Sequence, residues 1–287
     1  MSKNIIIIPI YNDWKSLNKL LFQLNENFRN SKNFETEILI INDHSSEQIN
    51  IKNNNLSSIK KISIINLNKN LGSQKAIAIG LFYLKDRVKN SFVTIMDGDG
   101  EDDPFQVNNM LEEAKKNQDF IITSNRKKRQ ESLTIQILYK IHLIMTFIFS
   151  HKWISFGNFT TFSSKNISKI LSNNNSWYAH SSSVLNNCKI KRLYAKREKR
   201  YFDKSKVNLL ALMEHALRVN VVFFPKIFLN SLLYSFIIFL TIKIFYINYI
   251  IIFLIIAFNI LLLFIRKKHY AKNLIRLDDY IDSIKSV

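Results

Sequence analysis

The sequence predicts an α/β protein, with a mostly parallel sheet covered by helices and a C-terminal two-helix transmembrane hairpin after it. Three observations carry this. Short β-branched runs alternate with helical patterns through the first 125 residues, as βαβ units require. A 39-residue apolar stretch, 227–265, holds one charge, Lys243. The charge is also uneven. Residues 1–125 carry 15 Lys+Arg and 15 Asp+Glu, 126–218 carry 18 and 4, and 219–287 carry 8 and 3. Three consecutive blocks are therefore expected: 1–125, 126–218 and 219–287.

Strands are expected at 4–9, 37–41, 62–66, 92–96 and 120–123, and helices at 14–28, 74–84 and 104–116. Asp103 before Pro104 reads as an N-cap followed by Pro at the first helical position. Ligands of such sheets bind at the carboxyl ends of strands. The polar clusters fall there: Tyr11-Asn12-Asp13, Asn42 to Ser46, Asn68 to Gly72, and Asp97 to Asp103.

The 39 apolar residues would span about 58 Å as helix, nearly twice a hydrocarbon core of about 30 Å. Two passes, at about 227–246 and 249–265, satisfy that length. Arg218 and Lys226 precede them and Arg266, Lys267 and Lys268 follow, so both ends are expected on the cytoplasmic side. The stretch 133–149 contains Gln136, Lys140 and His142 and reads as a helix on a membrane surface or in a core. The basic middle block is expected to face phosphate or lipid headgroups. Met1-Ser2-Lys3-Asn4 before four Ile is too short an apolar run for a signal peptide, so a first strand in the cytosol is expected.

Several classes are excluded. One Cys among 287 residues allows no internal disulfide and no zinc cluster; Cys188 reads as an ordinary thiol. No G-x-G-x-x-G follows the first strand and no G-x-x-x-x-G-K occurs, which argues against dinucleotide and P-loop sites. His44, His142, His180 and His215 lack metal-ligand spacing. Nucleic-acid binding would explain the charge but neither the apolar hairpin nor the acidic run.

That run, Asp97-Gly98-Asp99-Gly100-Glu101-Asp102-Asp103, puts five carboxylates in seven positions. Hard oxygen ligands at spacing two suit Mg²⁺ or Mn²⁺ bridging to a diphosphate. A solvated acidic turn before a helix accounts for the same residues, and on composition alone both readings stand.

Taken together, IIIIPIYND, INDHSS, NLGSQKAIAIGL and MDGDGEDDP resemble family-2 glycosyltransferases of the GT-A fold in order and spacing. They look most like the branch of dolichol-phosphate-mannose synthase and bacterial polyprenyl-phosphate glycosyltransferases, members of which often end in a transmembrane hairpin. The resemblance implies a Rossmann-like catalytic domain that binds a nucleotide-sugar through Pro9, Tyr11, Asp43, Gly72, Asp97 and Asp99. It implies Mg²⁺ or Mn²⁺ on Asp97, Asp99 and Glu101, with Asp99 the direct ligand. It implies an acceptor phosphate at Arg126, Arg129, Ser132, Arg200 and Ser205, and a catalytic set of Asp99, Arg126 and Arg200. Gly157-Asn158-Phe159 resembles a turn before a helix.

The activity so implied is metal-dependent, inverting transfer of a hexosyl group, from a UDP- rather than a GDP-sugar, to polyprenyl phosphate at the cytoplasmic membrane. Cell-envelope polysaccharide synthesis is the implied setting, and a homo-oligomer is compatible with it. Asp203 replaces an expected Gly, Val207 a Tyr and Asn158 an Asp, while Thr160 and Ser164 stand where Arg is often found. All lie in the acceptor half. Transfer to another lipid or a saccharide hydroxyl, or a catalytically weak membrane scaffold, are the alternatives.

Overall fold

A computed structural model describes residues 2–29, 33–51, 56–126, 133–195, 198–202, 209–240, 247–270 and 276–286. The chain forms β1 (Ser2–Ile10), α1 (Trp14–Arg29), β2 (Phe34–Asn42), β3 (Ile59–Leu67), α2 (Ser73–Lys85) and β4 (Ser91–Ile95). It continues with α3 (Gln106–Lys116), β5 (Phe120–Arg126), α4 (Leu133–Ser150), β6 (Phe156–Ser163), α5 (Ile167–Ile170) and α6 (His180–Asn187). Last come β7 (Lys189–Ala195), α7 (Leu209–Val221), α8 (Phe224–Leu240), α9 (Ile247–Lys268) and β8 (Ile281–Ser286).

The eight strands make one sheet in the order β7-β5-β6-β4-β1-β2-β3-β8. Four consecutive isoleucines, Ile5 to Ile8, explain why β1 lies in its interior. They are buried on both faces, as a parallel strand between helical layers must be. The spacing of Leu17, Leu20, Leu21, Leu24 and Phe28 gives α1 one apolar stripe, which packs with Ile6, Ile8, Ile38 and Ile40 and with Met110 and Leu111 of α3. Each such side chain contributes about 1.5–3 kcal/mol on full burial. On the other face α2 comes close enough for Gly80 to lie against Ile7 and Ile41.

The five expected strands and three helices of the first 126 residues are present; most extend by one to three residues, while β4 is shifted by one residue and α3 starts two residues later than expected. The N-cap expected at Asp103 is corrected: its Oδ1 accepts the Phe105 N–H at 2.9 Å ahead of the helix, while α3 begins at Gln106 with Phe105 at the cap position and no side-chain cap bond. A further reading is corrected. Gly157-Asn158-Phe159 is not a turn before a helix; it lies within β6, which runs antiparallel between β4 and β5. Phe156, Phe159, Thr160, Thr161 and Phe162, all buried, are aromatic and β-branched residues that suit a central strand. The C-terminal tail, for which no strand was expected, returns to form β8, antiparallel to β3. Asn66 Nδ2 donates to Ser283 Oγ at 2.9 Å and Asn68 Nδ2 to the Asp279 carbonyl at 2.8 Å.

The expected three-block division is replaced by two interleaved units. One comprises residues 1–129, 155–205 and 273–287; the other comprises 130–154 and 206–272. The first holds the sheet. The second is helical: α8 and α9 are joined by Asn259 Nδ2 donating to Ser231 Oγ at 2.9 Å, and α4 meets α8 through Asn230 Nδ2 on the Phe149 carbonyl at 2.7 Å. Phe149 also stacks against Tyr234 and Phe258. In α9, residues Asn248–Lys268 are long and apolar enough to cross a membrane, while α7 and α8 meet at an 87° bend. Of the turn expected between the two passes, near 246–249, residue 246 lies outside the described residues, and Ile247 to Tyr249 belong to α9.

If β8 stabilises the sheet, a chain ending at Arg276 should unfold about 5 °C or more below the full chain, since it loses the ladder to β3 and the Asn66 and Asn68 bonds. Thermal unfolding followed by circular dichroism measures this; an unchanged midpoint would show the strand to be dispensable.

Candidate active site

The carboxyl ends of β1, β2, β3 and β4 converge, and the loops after them carry the polar clusters. After β1, Asp13 caps α1 by accepting the Ser16 N–H at 3.3 Å, which leaves its other oxygen to face outwards. After β2, Asp43 is almost fully buried. Its Oδ1 accepts the Leu71 N–H at 2.7 Å and its Oδ2 the Gly72 N–H at 2.8 Å. Burial raises the Asp43 pKa, and these two amides oppose that shift. Asp43 thus ties the β2 loop to the loop before α2. Gly72 has φ 84°, a conformation that glycine adopts without a Cβ penalty.

A second set of bonds links the same loops. Asn12 donates from its backbone to Ser45 Oγ at 3.0 Å, and the Ser45 N–H donates to Asn42 Oδ1 at 3.0 Å. Asn42 Nδ2 in turn reaches Asn66 Oδ1 at 2.8 Å. Tyr11 is exposed beside this frame, whereas Pro9 is buried in β1.

After β4 comes the acidic run. Asp102 turns inward, its Oδ2 accepting the Asp97 N–H at 3.0 Å. Asp99 Oδ1 accepts the Glu101 N–H at 3.0 Å across Gly100, which has φ 86°. Over this loop lies the segment Glu198 to Phe202. The Tyr201 N–H bonds the Asp99 carbonyl at 3.0 Å, and the Glu198 N–H bonds the Glu101 carbonyl at 3.1 Å. A Cβ on Gly100 would sit 2.3 Å from the Tyr201 ring, so only glycine admits that ring here. Tyr201 also donates to Gln23 Oε1, and the Lys19 ammonium lies 4.5 Å from the Tyr201 ring centroid.

This segment delivers Arg200. Its Nη2 lies 3.0 Å from Asp13 Oδ2 and its Nη1 3.3 Å from Asp99 Oδ2. One guanidinium therefore bridges the loops after β1 and β4. Asp97 is met from the other side, where Asn158 Nδ2 donates to its Oδ1 at 3.0 Å. Behind Asn158 stand Gln74 and His180. Complete burial holds His180 at about 3, so its ring is neutral at pH 7.

The family model for glycosyl transferase family 2 matches residues 5–182. The chain belongs to that family. It is 27% identical over 142 residues to the uncharacterized glycosyltransferase sll0501 of Synechocystis sp., covering 47% of this chain and 43% of that protein. It is 25% identical over 161 residues to the uncharacterized glycosyltransferase YkcC of Bacillus subtilis (strain 168), covering 51% and 46%. The matches thus span under half the length of these curated relatives. Among solved structures, the fold is similar to glucosyl-3-phosphoglycerate synthase from Mycobacterium tuberculosis in complex with Mn²⁺, UDP-glucose and phosphoglyceric acid, with TM-score 0.53, 9% identity and coverage of 79% and 80%.

For a GT-A site, the donor set can be tested against a divalent cation. Asp97 and Asp99 supply hard oxygens at the mouth of the sheet. Among the described residues, however, no three His, Cys, Asp or Glu side chains converge as a metal site. The expected trio of Asp97, Asp99 and Glu101 is therefore not assembled as a cage. Two carboxylates fit a cation that takes its remaining ligands from a diphosphate and water, as Mg²⁺ commonly does.

The structure brings together Asp13, Asp43, Gly72, Asp97, Asp99 and Arg200. Arg126 ends β5, with its side chain outside the described residues; Arg129, Ser132 and Ser205 lie outside them altogether. Asp13, Gln74 and Tyr201 are additions that the sequence reading missed. Asp13 was visible only as part of a polar cluster. Gln74 sat inside a recognised motif, but nothing in its spacing signalled a partner 84 residues away.

Arg200 neutralises Asp99 at the place where a cation would bind, so the two compete. In Arg200→Ala, Mn²⁺ alone should bind about fivefold more tightly than in the parent chain, a partly exposed ion pair being worth up to about 1 kcal/mol. Calorimetric titration reads this out, and equal affinities would remove the competition.

Proposed function

We propose that this chain is a membrane-bound, inverting glycosyltransferase that moves a sugar from a nucleotide-sugar to polyprenyl phosphate at the cytoplasmic face. The observation that carries the reading is the Asp13–Arg200–Asp99 bridge. It brings the basic acceptor half to the acidic loop of the donor half within hydrogen-bond distance.

The chemistry follows from the groups present. The base and ribose of the donor are assigned to the frame around Tyr11 and Asp43, and the diphosphate to the mouth of β4. A divalent cation held by Asp97 and Asp99 would neutralise the departing nucleoside diphosphate as a Lewis acid. The attacking oxygen belongs to the lipid phosphate, whose second pKa of about 6 leaves it ionised at neutral pH. No general base is then needed. The oxygen forms a bond to the anomeric carbon as the bond to the diphosphate breaks, which inverts the centre. What such an acceptor requires is a planar cation, and Arg200 is suited to it by bidentate geometry. Tyr201 and Phe202, with Lys19 and Lys15 against their rings, give the segment an aromatic cover that would limit water at the reacting carbon. A UDP-sugar is preferred over a GDP-sugar, as in the fold neighbour crystallised with UDP-glucose.

The membrane assignment is supported by the faces of α8 and α9. Phe236, Phe239, Leu240, Phe253, Leu254 and Phe264 are all more than half exposed, a large apolar surface for water to cover. It is also supported by β8. Because β8 pairs with β3, residues before and after the helical stretch belong to one sheet and must lie on one side of any bilayer. The number of crossings between them is then even. With α9 as one crossing, the second is assigned to α8.

Two measurements test this. Detergent-purified protein with Mn²⁺ and labelled UDP- and GDP-sugars should transfer label to the organic phase only when undecaprenyl phosphate is present. Asp99→Asn should lower that rate by about 10²–10³-fold. Label transfer that ignores the lipid phosphate would redirect the assignment to a hydroxyl acceptor. For topology, single cysteines at Tyr249 and Asp282 in a Cys188→Ser background should differ. A membrane-impermeant maleimide applied to intact spheroplasts should label Tyr249→Cys and spare Asp282→Cys; labelling of both would overturn the hairpin.

A further inference from the structure

Behind the first carboxylate of the D-x-D pair runs a line of amides that the donor chemistry above does not use. The backbone N–H of His180, at the start of α6, donates to Gln74 Oε1 at 2.8 Å. Gln74 Nε2 donates to Asn158 Oδ1 at 3.0 Å. Asn158 Nδ2 donates to Asp97 Oδ1 at 3.0 Å. Three elements distant in sequence, α2, β6 and α6, thus contribute one link each. Gln74 is 5% exposed and His180 is fully buried, so water cannot readily substitute for a broken link.

The direction of this line is dictated by its ends. A backbone N–H can only donate, so the oxygen of Gln74 must face His180 and its nitrogen must face Asn158. An ionised carboxylate can only accept, so the nitrogen of Asn158 must face Asp97. Both ends demand the same polarity, and neither amide can flip without setting two acceptors against each other. The donor end is itself fixed. The His180 ring bonds Thr160 Oγ1 through Nε2 at 2.8 Å, and Thr160 Oγ1 donates to the Asn158 carbonyl at 3.1 Å. With that hydroxyl proton committed, Nε2 carries the ring proton, and the orphan Nδ1 is an unprotonated lone pair, the cheaper group to leave unpaired.

We propose that Gln74 and Asn158 are positioning residues for the donor: their polarity-locked relay from the His180 amide presents Asp97 in one orientation to the cation-bound diphosphate. The inference rests on the nucleotide-sugar reading. Asn158 therefore works as an amide; a carboxylate at that position would put two acceptors face to face. Neither residue touches the reacting atoms. They act by holding the oxygen that does, the role of outer-shell partners at many metal sites.

The polarity argument separates this role from simple packing. Gln74→Glu keeps the shape and still accepts from His180, but it can no longer donate to Asn158. The Asn158 amide must then turn, setting its oxygen against Asp97. Gln74→Ala removes the relay's middle link and leaves Asn158 free to keep donating. If Gln74 only fills space, the alanine variant is the worse of the two. If it sets polarity, the glutamate variant is.

The test uses the full chain in detergent, with UDP and GDP as probes, titrated calorimetrically with and without Mn²⁺ and accompanied by thermal unfolding. Gln74→Glu should weaken Mn²⁺-dependent nucleotide binding by about tenfold or more, and Gln74→Ala by less. Asn158→Ala should show a similar loss, with Mn²⁺-independent binding changed by less than about twofold. It carries the test alone if Gln74→Glu does not unfold cooperatively. Gln74→Ala as damaging as Gln74→Glu, or Asn158→Ala losing metal-free and metal-dependent binding alike, would overturn the relay. A parent chain that binds neither nucleotide overturns the donor reading itself, and the relay's purpose with it.

Discussion

Five carboxylates between positions 97 and 103 repel one another within one loop, and the partners given to four of them build much of the site. Asp102 turns inward onto the Asp97 N–H, and Asp103 accepts the Phe105 N–H in the turn before α3. Asp99 takes the Glu101 N–H and faces Arg200, while Asp97 takes the Asn158 amide. Two of these groups serve local structure. The two left at the mouth of the sheet are answered by residues from β6 and from the segment before α7, both far along the chain. Electrostatic repulsion in the loop thus recruits the second half of the protein to the first.

That recruitment depends on where strands end. Parallel strands β1 to β4 bring the loops after them to one edge, and buried isoleucines hold those strands in register against α1, α2 and α3. The loops are then tied to one another by short polar bonds, Asp43 to the residue 71 and 72 amides and Asn42 to Asn66. The last tie comes from Ser283, so the C-terminal tail forms part of the frame on which the donor loops rest. A chain that leaves the sheet for a long apolar excursion and then returns to it has its topology constrained at both ends.

How much of this was legible depended on the distance over which each signal acts. The strands and helices of the first 126 residues follow from local periodicity and propensity, and the motifs at Pro9, Asp43, Gly72, Asp97 and Asp99 fall where strand ends put them. The extent of β6 was misread because Gly157-Asn158-Phe159 looks like a turn locally. Its pairing with β4 and β5 comes from partners more than 30 residues away. β8 was missed for the same reason: residues 281–286 become a strand only because the edge of β3 is open to them.

The amino-acid order alone decided the α/β class, the acidic loop, the apolar C-terminal stretch and the family resemblance, since each is written in contiguous residues and short-range spacing. Folding in three dimensions decided the rest. It set Arg200 between Asp13 and Asp99 instead of leaving it as one more basic residue. It turned Asn158 from an apparent departure into the partner of Asp97, and it closed the sheet with the tail. Each of these is a pairing of polar groups 50 or more residues apart, and hydrogen bonds of about 3 Å carry no trace in the sequence between them.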